Sequence, residues 1–371
     1  VSAVLRLGTR RSTLATTQSD WVADLLRARG HEVELVEIVT EGDTSSAPLS
    51  SLGGTGVFAT ALRQALLAGE VDLAVHSLKD LPTAPEPGLV IAALPVREDP
   101  RDVLVSTSGA GLGELGDGAV VGTGSPRRVA QLAALGLGLE FKDIRGNVDT
   151  RIGLAREGAV DAVVLARAGL ARLGRLDDAA EVLDPLQMLP APGQGALAVE
   201  CRSDDQVTIE LLRALDDPDT RAAVTAERAL LAALEAGCSA PVGALAEVVE
   251  GDDGLELSLR AFVGAVDGSF DLRRSLVGPV GQAEAIGQRL AALLLEDGAD
   301  SLVAPSSSVS SSASSSSSSS SRPSSSSSSR PSSSPEADHA RWRPDPAGAT
   351  GDHPLAAPDR SPAPNSTERA L

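Results

Sequence analysis

Over the first two hundred residues, short apolar runs alternate with stretches in which apolar residues recur every three to four positions, the pattern of strands taking turns with helices. VLRLGT (4–9) predicts a strand. Ser12 then caps a helix that carries Leu14, Trp21, Val22, Leu25 and Leu26 and stops at Gly30. VELVEIV (33–39) is the next strand, a helix covers about 57–68, and strands follow at VDLAV (71–75) and LVIAAL (89–94). After VREDPR (96–101) the alternation restarts with DVLVS (102–106), AVVGT (119–123), a helix from Pro126, LEFKDI (139–144), a helix from Asn147 and AVVLA (162–166). ALAVECR (196–202) follows the glycine-rich APGQG (191–195) and returns the chain to its first lobe. Parallel α/β sheets are expected, in two lobes joined by two crossings, which makes a hinged cleft.

From Asp217 the pattern changes. A long helix, TRAAVTAERALLAALEAG (220–237), precedes strand-like LAEVVE (245–250), LELSLRAFV (255–263) and FDLRRSLV (270–277), and a closing helix spans about 279–296. The fold class predicted is therefore α/β, two hinged lobes, with an added α+β module built on an antiparallel sheet. The boundaries are 1–96 with 196–216 for the first lobe, 101–190 for the second and 217–303 for the third unit. GDTSSAPLSSLGGTG (42–56) has no periodicity and many turn formers, so it reads as a long mobile loop of the lid type. Residues 304–371, serine-rich and then rich in Pro, Ala and charge, cannot bury enough apolar surface to offset their ordering entropy and are expected to be disordered.

Charge narrows the ligand. The 371 residues carry a net charge of −19, and because the tail is balanced in sign the excess lies in the folded part. An acidic body argues against nucleic acid or an anionic membrane as partner. No run of about eighteen apolar residues and no basic-then-apolar leader pattern occurs, so a cytoplasmic location is expected. Two cysteines and four histidines, in no ligand spacing, predict neither a disulfide scaffold nor a metal.

Several short motifs nevertheless concentrate cations. HSLKDLPT (76–83) puts one of only two lysines, Lys79, beside Asp80 at a strand end, where open α/β sheets place their ligands. A surface Lys–Asp pair is the bland alternative. GTGSPRR (122–128) sets Thr123 and Ser125 before a helix that starts at Pro126, with Arg127 and Arg128 in its first turn. A helix start with two solvated arginines reads equally well at this point. IRGNVDTR (144–151) adds Arg145 and Arg151, and GTRRSTLA (8–15) adds Arg10 and Arg11 before the Ser12 cap. Three strand-to-helix junctions, each with glycine and arginine, converge if the lobes face each other, and the planar guanidinium fork suits carboxylate or phosphate. Cys238, in AGCSAPVGA, reads on local pattern as a small buried hydrophobe, and Cys201 as a strand residue. His76 reads as a satisfied strand-end histidine.

Taken together, GTRRSTLA, GGTGVF, HSLKDLPT, GTGSPRR, IRGNVDTR, PAPGQGALAVECR and EAGCSAPVGA resemble, in order and spacing, the hydroxymethylbilane synthase (porphobilinogen deaminase) family over about residues 4–300. The resemblance implies a monomeric transferase of tetrapyrrole and heme synthesis. Such an enzyme condenses four porphobilinogen molecules head to tail, releases ammonia at each step and frees linear hydroxymethylbilane by hydrolysis, with possible hand-over to the next enzyme of the pathway. It implies a dipyrromethane primer held by a thioether to Cys238, and Asp80 as catalytic carboxylate. It implies Arg10, Ser12, Lys79, Thr123, Ser125, Arg127, Arg128, Arg145, Arg151 and Gln194 as cofactor and substrate contacts, and a lid bearing Gly53, Gly54 and Phe58. Thr55 and Thr60 stand where the family commonly has lysine.

Two other classes compete. Bilobal periplasmic binding proteins share the two-lobe layout, but that reading predicts an export signal and gives no role to a third unit or to Cys238. A phosphate-handling enzyme would need GxxxxGK[ST] or a metal-binding carboxylate set, and neither is present.

Overall fold

The computed structural model describes residues 4–38, 57–236, 240–251 and 254–303. The first strand is β1 (Leu5–Thr9). Ser12 accepts a hydrogen bond from the Ala15 N–H and so starts α1 (Thr13–Arg27), which buries Gln18, Val22, Ala23 and Leu26 along one face. β2 (Val33–Glu37), α2 (Val57–Leu67), β3 (Leu73–Ser77) and β4 (Leu89–Ala93) follow. The next stretch holds β5 (Asp102–Ser106), β6 (Val120–Gly122), α3 (Pro126–Ala134), β7 (Glu140–Lys142), α4 (Val148–Arg156), β8 (Ala162–Ala166), α5 (Arg167–Arg172) and β9 (Glu181–Val182). Last come β10 (Leu197–Arg202), α6 (Gln206–Arg213), α7 (Pro218–Ala233), β11 (Val242–Gly251), β12 (Gly254–Gly264), β13 (Asp271–Pro279) and α8 (Ala283–Glu296).

Three sheets result. The first has the order β2-β1-β3-β10-β4 and the second β7-β6-β8-β5-β9. Neither is purely parallel, as the alternation of strands and helices had suggested. β10 runs antiparallel to both β3 and β4, and β5 antiparallel to both β8 and β9. The physical reason lies in the connections. A parallel neighbour is reached by a helical crossover within one sheet, whereas β5 and β10 are each reached by chain that crosses from the other sheet. The two crossings, at about 94–101 and 183–196, lie side by side, and the Glu98 N–H donates to the Gly195 carbonyl at 3.3 Å between them.

The third sheet, β11-β12-β13, is an antiparallel meander. One face packs Leu257, Leu259, Ala261 and Val263 against Leu230 of α7, Leu234 at its C-terminal cap, and Ile286 and Leu290 of α8. On the other face Leu245 and Phe262 meet Ala130 of α3 and Leu189, which ties this unit to the second sheet. Asp217 caps α7 by accepting from the Thr220 N–H, and Pro218 occupies the first helical position, where its missing N–H costs nothing.

Candidate functional site

β3 ends in a single 3-10 turn, Leu78–Asp80. The turn buries Leu78 and leaves Asp80 exposed at its end. Arg10, Gln18, His76, Ser77 and Asp80 line a small cavity of about 40 Å³ there. Beside it, the Lys79 ammonium donates to Gln194 Oε1 at 3.2 Å. Lys79 keeps some surface on the cleft floor but is densely surrounded. Burial, reinforced by Arg128 and Arg127 and opposed by Asp80 and Asp102, pushes it from 10.5 down to about 8.

The opposite wall comes from the second sheet. Arg127 and Arg128, in the first turn of α3, are both buried rather than solvated. They share one carboxylate: Arg127 lies 2.8 Å from Asp102 Oδ2 and Arg128 2.7 Å from Asp102 Oδ1. Arg127 also donates to the Leu189 carbonyl and Arg128 to the Val164 carbonyl, so part of each guanidinium anchors the second lobe. Burial alone would raise the Asp102 carboxyl, but the two arginines hold it well below the usual carboxylate range. The Nε atoms of Arg127 and Arg128 are buried and have no hydrogen-bond partner among the described residues.

Arg151, on α4, donates Nε to the Gly146 carbonyl at 2.9 Å. Burial, followed by repulsion from Arg128 and Arg145, lowers it to about 10, while Asp80 and Asp143 oppose the shift. Its electrostatic neighbours thus include Asp80 across the cleft. Arg145 is more exposed and pairs with Asp143 at 3.3 Å. Ser12 spends its hydroxyl acceptor on the α1 cap, and Thr123 is buried with its hydroxyl accepting from the Ser125 N–H. Ser125 makes no such cap for α3. Arg11 is outside the cluster, in an exposed pair with Glu37.

Gln194 joins the walls. Its Nε2 donates to Asp102 Oδ1 at 2.8 Å and to the Pro100 carbonyl at 2.7 Å, while Oε1 receives Lys79. The turn that presents it needs glycine on both sides. Gly193 and Gly195 have φ of 75° and 87°, and a Cβ on Gly195 would sit 2.3 Å from the Glu98 carbonyl oxygen. Arg97 donates to the Gln194 carbonyl at 2.8 Å and grips Glu227 with both terminal nitrogens. Glu227 also accepts from the Gly193 and Ala246 N–H groups, so one carboxylate of the third unit pins the turn.

The structure therefore brings together Arg10, Lys79, Asp80, Arg127, Arg128, Arg151 and Gln194, with Arg145 at the rim. Cys238, Gly53 and Gly54 lie outside the described residues, and only the backbone of Phe58 is described, near the start of α2. Residues that sequence reading passed over are Asp102, Arg97, Glu227 and Arg172. Arg172 donates to the Gly195 carbonyl at 2.7 Å, and its guanidinium is lowered by burial against an opposing Glu98. The available signal was the charge-dense VREDPRD (96–102) at a lobe junction. On β10, Glu200 accepts from two of the three Arg63 side-chain nitrogens at 3.0 and 2.9 Å, with His76 Nε2 at 3.3 Å, while Cys201 is buried and its thiol is pushed up to about 11.

A cation-rich site with exposed carboxylates at its edge, set at strand ends of two α/β sheets, fits a protein that takes a small polyanion. Residues 5–210 match the family profile described as porphobilinogen deaminase, dipyromethane cofactor binding domain, and residues 221–296 match porphobilinogen deaminase, C-terminal domain. A porphobilinogen deaminase of Mycobacterium bovis is 61% identical over 305 residues, covering 81% of this chain and 98% of the relative. One from Mycobacterium avium is 60% identical, covering 81% and 96%. The chain belongs to the porphobilinogen deaminase family. Among solved structures, a methionine-binding lipoprotein of Bacillus subtilis aligns with 57% of this chain and 89% of its own at 17% identity, and its TM-score of 0.36 adds nothing to that assignment.

Proposed function

We propose that this cleft carries out the hydroxymethylbilane synthase reaction of the family: deaminative head-to-tail condensation of four porphobilinogen molecules on a dipyrromethane primer, then hydrolysis to linear hydroxymethylbilane. The observation that carries the proposal is the charge inventory of the site. Among the described residues, Arg10, Lys79, Arg127, Arg128, Arg145 and Arg151 outnumber Asp80, Asp102 and Asp143, and much of that positive charge is held among buried groups. Cations at this density repel one another unless anions join them, and each pyrrole of the substrate and primer brings two carboxylates. The donor set therefore fits the primer. When bound, that group would supply the free pyrrole carbon to which the first unit is joined, each later unit being joined to the one before it.

Asp80 is the catalytic residue in this reading. Its exposed carboxylate, at the mouth of the cavity shared with Arg10 and Gln18, accepts the pyrrole N–H and offsets positive charge on the substrate ring as ammonia departs. Each cycle breaks the aminomethyl C–N bond, forms one C–C bond and releases the proton from the attacked ring carbon, which Asp80 is placed to take. Arg127 and Arg128 hold carboxylates of the primer, and Arg10, Arg145 and Arg151, with Ser12, Thr123 and Ser125, hold those of the chain and the incoming substrate. Lys79 is a point charge on the same floor. Attachment of the primer through a thioether to Cys238, and cover by a lid bearing Gly53, Gly54 and Phe58, complete the proposal. So do work as a monomer in the cytoplasm with hand-over of product to the next enzyme, and division into units 1–96 with 196–216, 101–190 and 217–303.

Asp80→Asn tests the central role, because it keeps the shape of the side chain and removes the charge. We expect kcat for porphobilinogen consumption to fall by about 10²- to 10⁴-fold with an unchanged circular dichroism spectrum. Wild-type turnover in that variant would remove Asp80 from the chemistry.

A further inference from the structure

We infer that Asp102 is a positioning residue for this reaction: buried at the first position of β5, it orients Gln194, and Gln194 in turn holds the Lys79 ammonium beside Asp80. The inference rests on the proposed function of the cleft and names a group which that reading leaves without a role.

Asp102 has no exposed surface. Its Oδ1 receives Arg128 at 2.7 Å and the Gln194 amide at 2.8 Å, and Arg127 lies 2.8 Å from Oδ2. The donation from Gln194 Nε2 to a carboxylate fixes which way the amide faces. Its oxygen is thereby turned to Lys79, with which it bonds at 3.2 Å. A relay thus runs from the second lobe, through both crossings, to the residue next to Asp80. Arg97 holds the main chain of the relay residue in place by donating to the Gln194 carbonyl.

Among the described residues, the charged groups that act on Lys79 include Asp80 on its own turn, Arg127 and Arg128 from α3, and Asp102 from β5. Burial and the two arginines disfavour its charge. Asp102 supplies negative charge from the second lobe and, through Gln194, a hydrogen-bond acceptor. Removing either influence makes the ammonium lose its proton at lower pH.

Direct titration of Lys79 tests this without reference to turnover. The chain contains two lysines, Lys79 and Lys142, so the full-length protein labelled with ¹³C at the lysine ε-carbon gives two signals. Lys142, exposed and bonded to the Ala159 carbonyl, is the internal reference. In the wild-type protein the Lys79 midpoint is expected near 8. Asp102→Asn should lower it by about one pH unit, and Gln194→Leu, which leaves Asp102 on its arginines, should lower it by less. Asp102→Glu, which keeps the charge, should recover most of the shift. Midpoints that coincide with wild type in Asp102→Asn and Gln194→Leu would overturn the inference. If Asp102→Asn does not fold, Gln194→Leu alone decides, a downward shift supporting the relay and none refuting it. Porphobilinogen turnover by the wild-type protein is read in parallel. Its absence would defeat the functional reading while leaving the titration result intact.

Discussion

Glu227 and Asp102 are both fully buried carboxylates that grip arginine near the two chain crossings, and they differ in how completely they are answered. Glu227 faces one guanidinium bidentately, at 2.7 and 3.0 Å, and two main-chain N–H groups, at 2.6 and 2.9 Å. Charge and hydrogen bonds both close there. Asp102 faces two guanidiniums and an amide, with the Lys79 ammonium one residue further along the chain of contacts. Among the described residues its surroundings keep an excess of positive charge. A closed pair of the first kind joins units of structure, whereas an open one of the second kind is stable in company with an anion. The same residue types thus mark a joint in one place and a binding site in the other.

Breaking the closed pair should have the largest effect on stability. Glu227→Ala leaves Arg97 buried without its partner and strips the Gly193 and Ala246 N–H groups of their acceptor, so we expect about 3–5 kcal/mol of destabilisation in urea unfolding. A loss below about 1 kcal/mol would mean that the joint is not closed in this way.

The open site should answer in binding instead. Arg151→Ala removes a cation that, within the protein, donates to the Gly146 carbonyl. If it holds a ligand carboxylate, a charged hydrogen bond of about 1.5–3 kcal/mol is lost, and KM for porphobilinogen should rise roughly 10- to 100-fold with kcat less affected. An unchanged KM would place Arg151 outside the binding surface.

An effect of unusual sign separates the two sites by pH. Lys79 titrates near 8 in the folded protein and near 10.5 when unfolded. Between those values the unfolded chain binds a proton that the folded chain does not, so this group makes stability rise with pH, and the gain is complete above the unfolded value. The urea midpoint of the wild-type protein, measured against that of Lys79→Met from pH 8 to about 10.5, should show the wild type gaining on the variant. Parallel curves would show that burial does not cost Lys79 its proton.

Most strands and helices could be read from periodicity alone, because β3, β4, β5 and β8 are each built on a short apolar run and α1, α4 and α7 begin at Ser12, Asn147 and Asp217 caps. The direction of β5 and β10 could not, since an apolar run carries no sign of which end of a sheet it enters from. The motif cations were legible as a group. Their division into buried arginines that share Asp102 and a more exposed Arg145 was not, because the partners are 26 residues apart for Arg128 and 92 for Gln194. Asp102 itself looked like the polar first residue of DVLVS. Glu227 lay on the inward stripe of a long helix, where a glutamate gives no local hint of Arg97, 130 residues earlier.

The mass of the intact protein tests the polymerising reaction most directly. Purified wild-type chain, and a Cys238→Ser variant, would be weighed before and after incubation with porphobilinogen. An adduct of two linked pyrrole units on the wild type, absent from the variant, is the predicted result and would establish both the primer and its attachment. A wild-type chain that is unmodified at the outset and still unmodified after incubation would contradict the reaction assigned to this cleft.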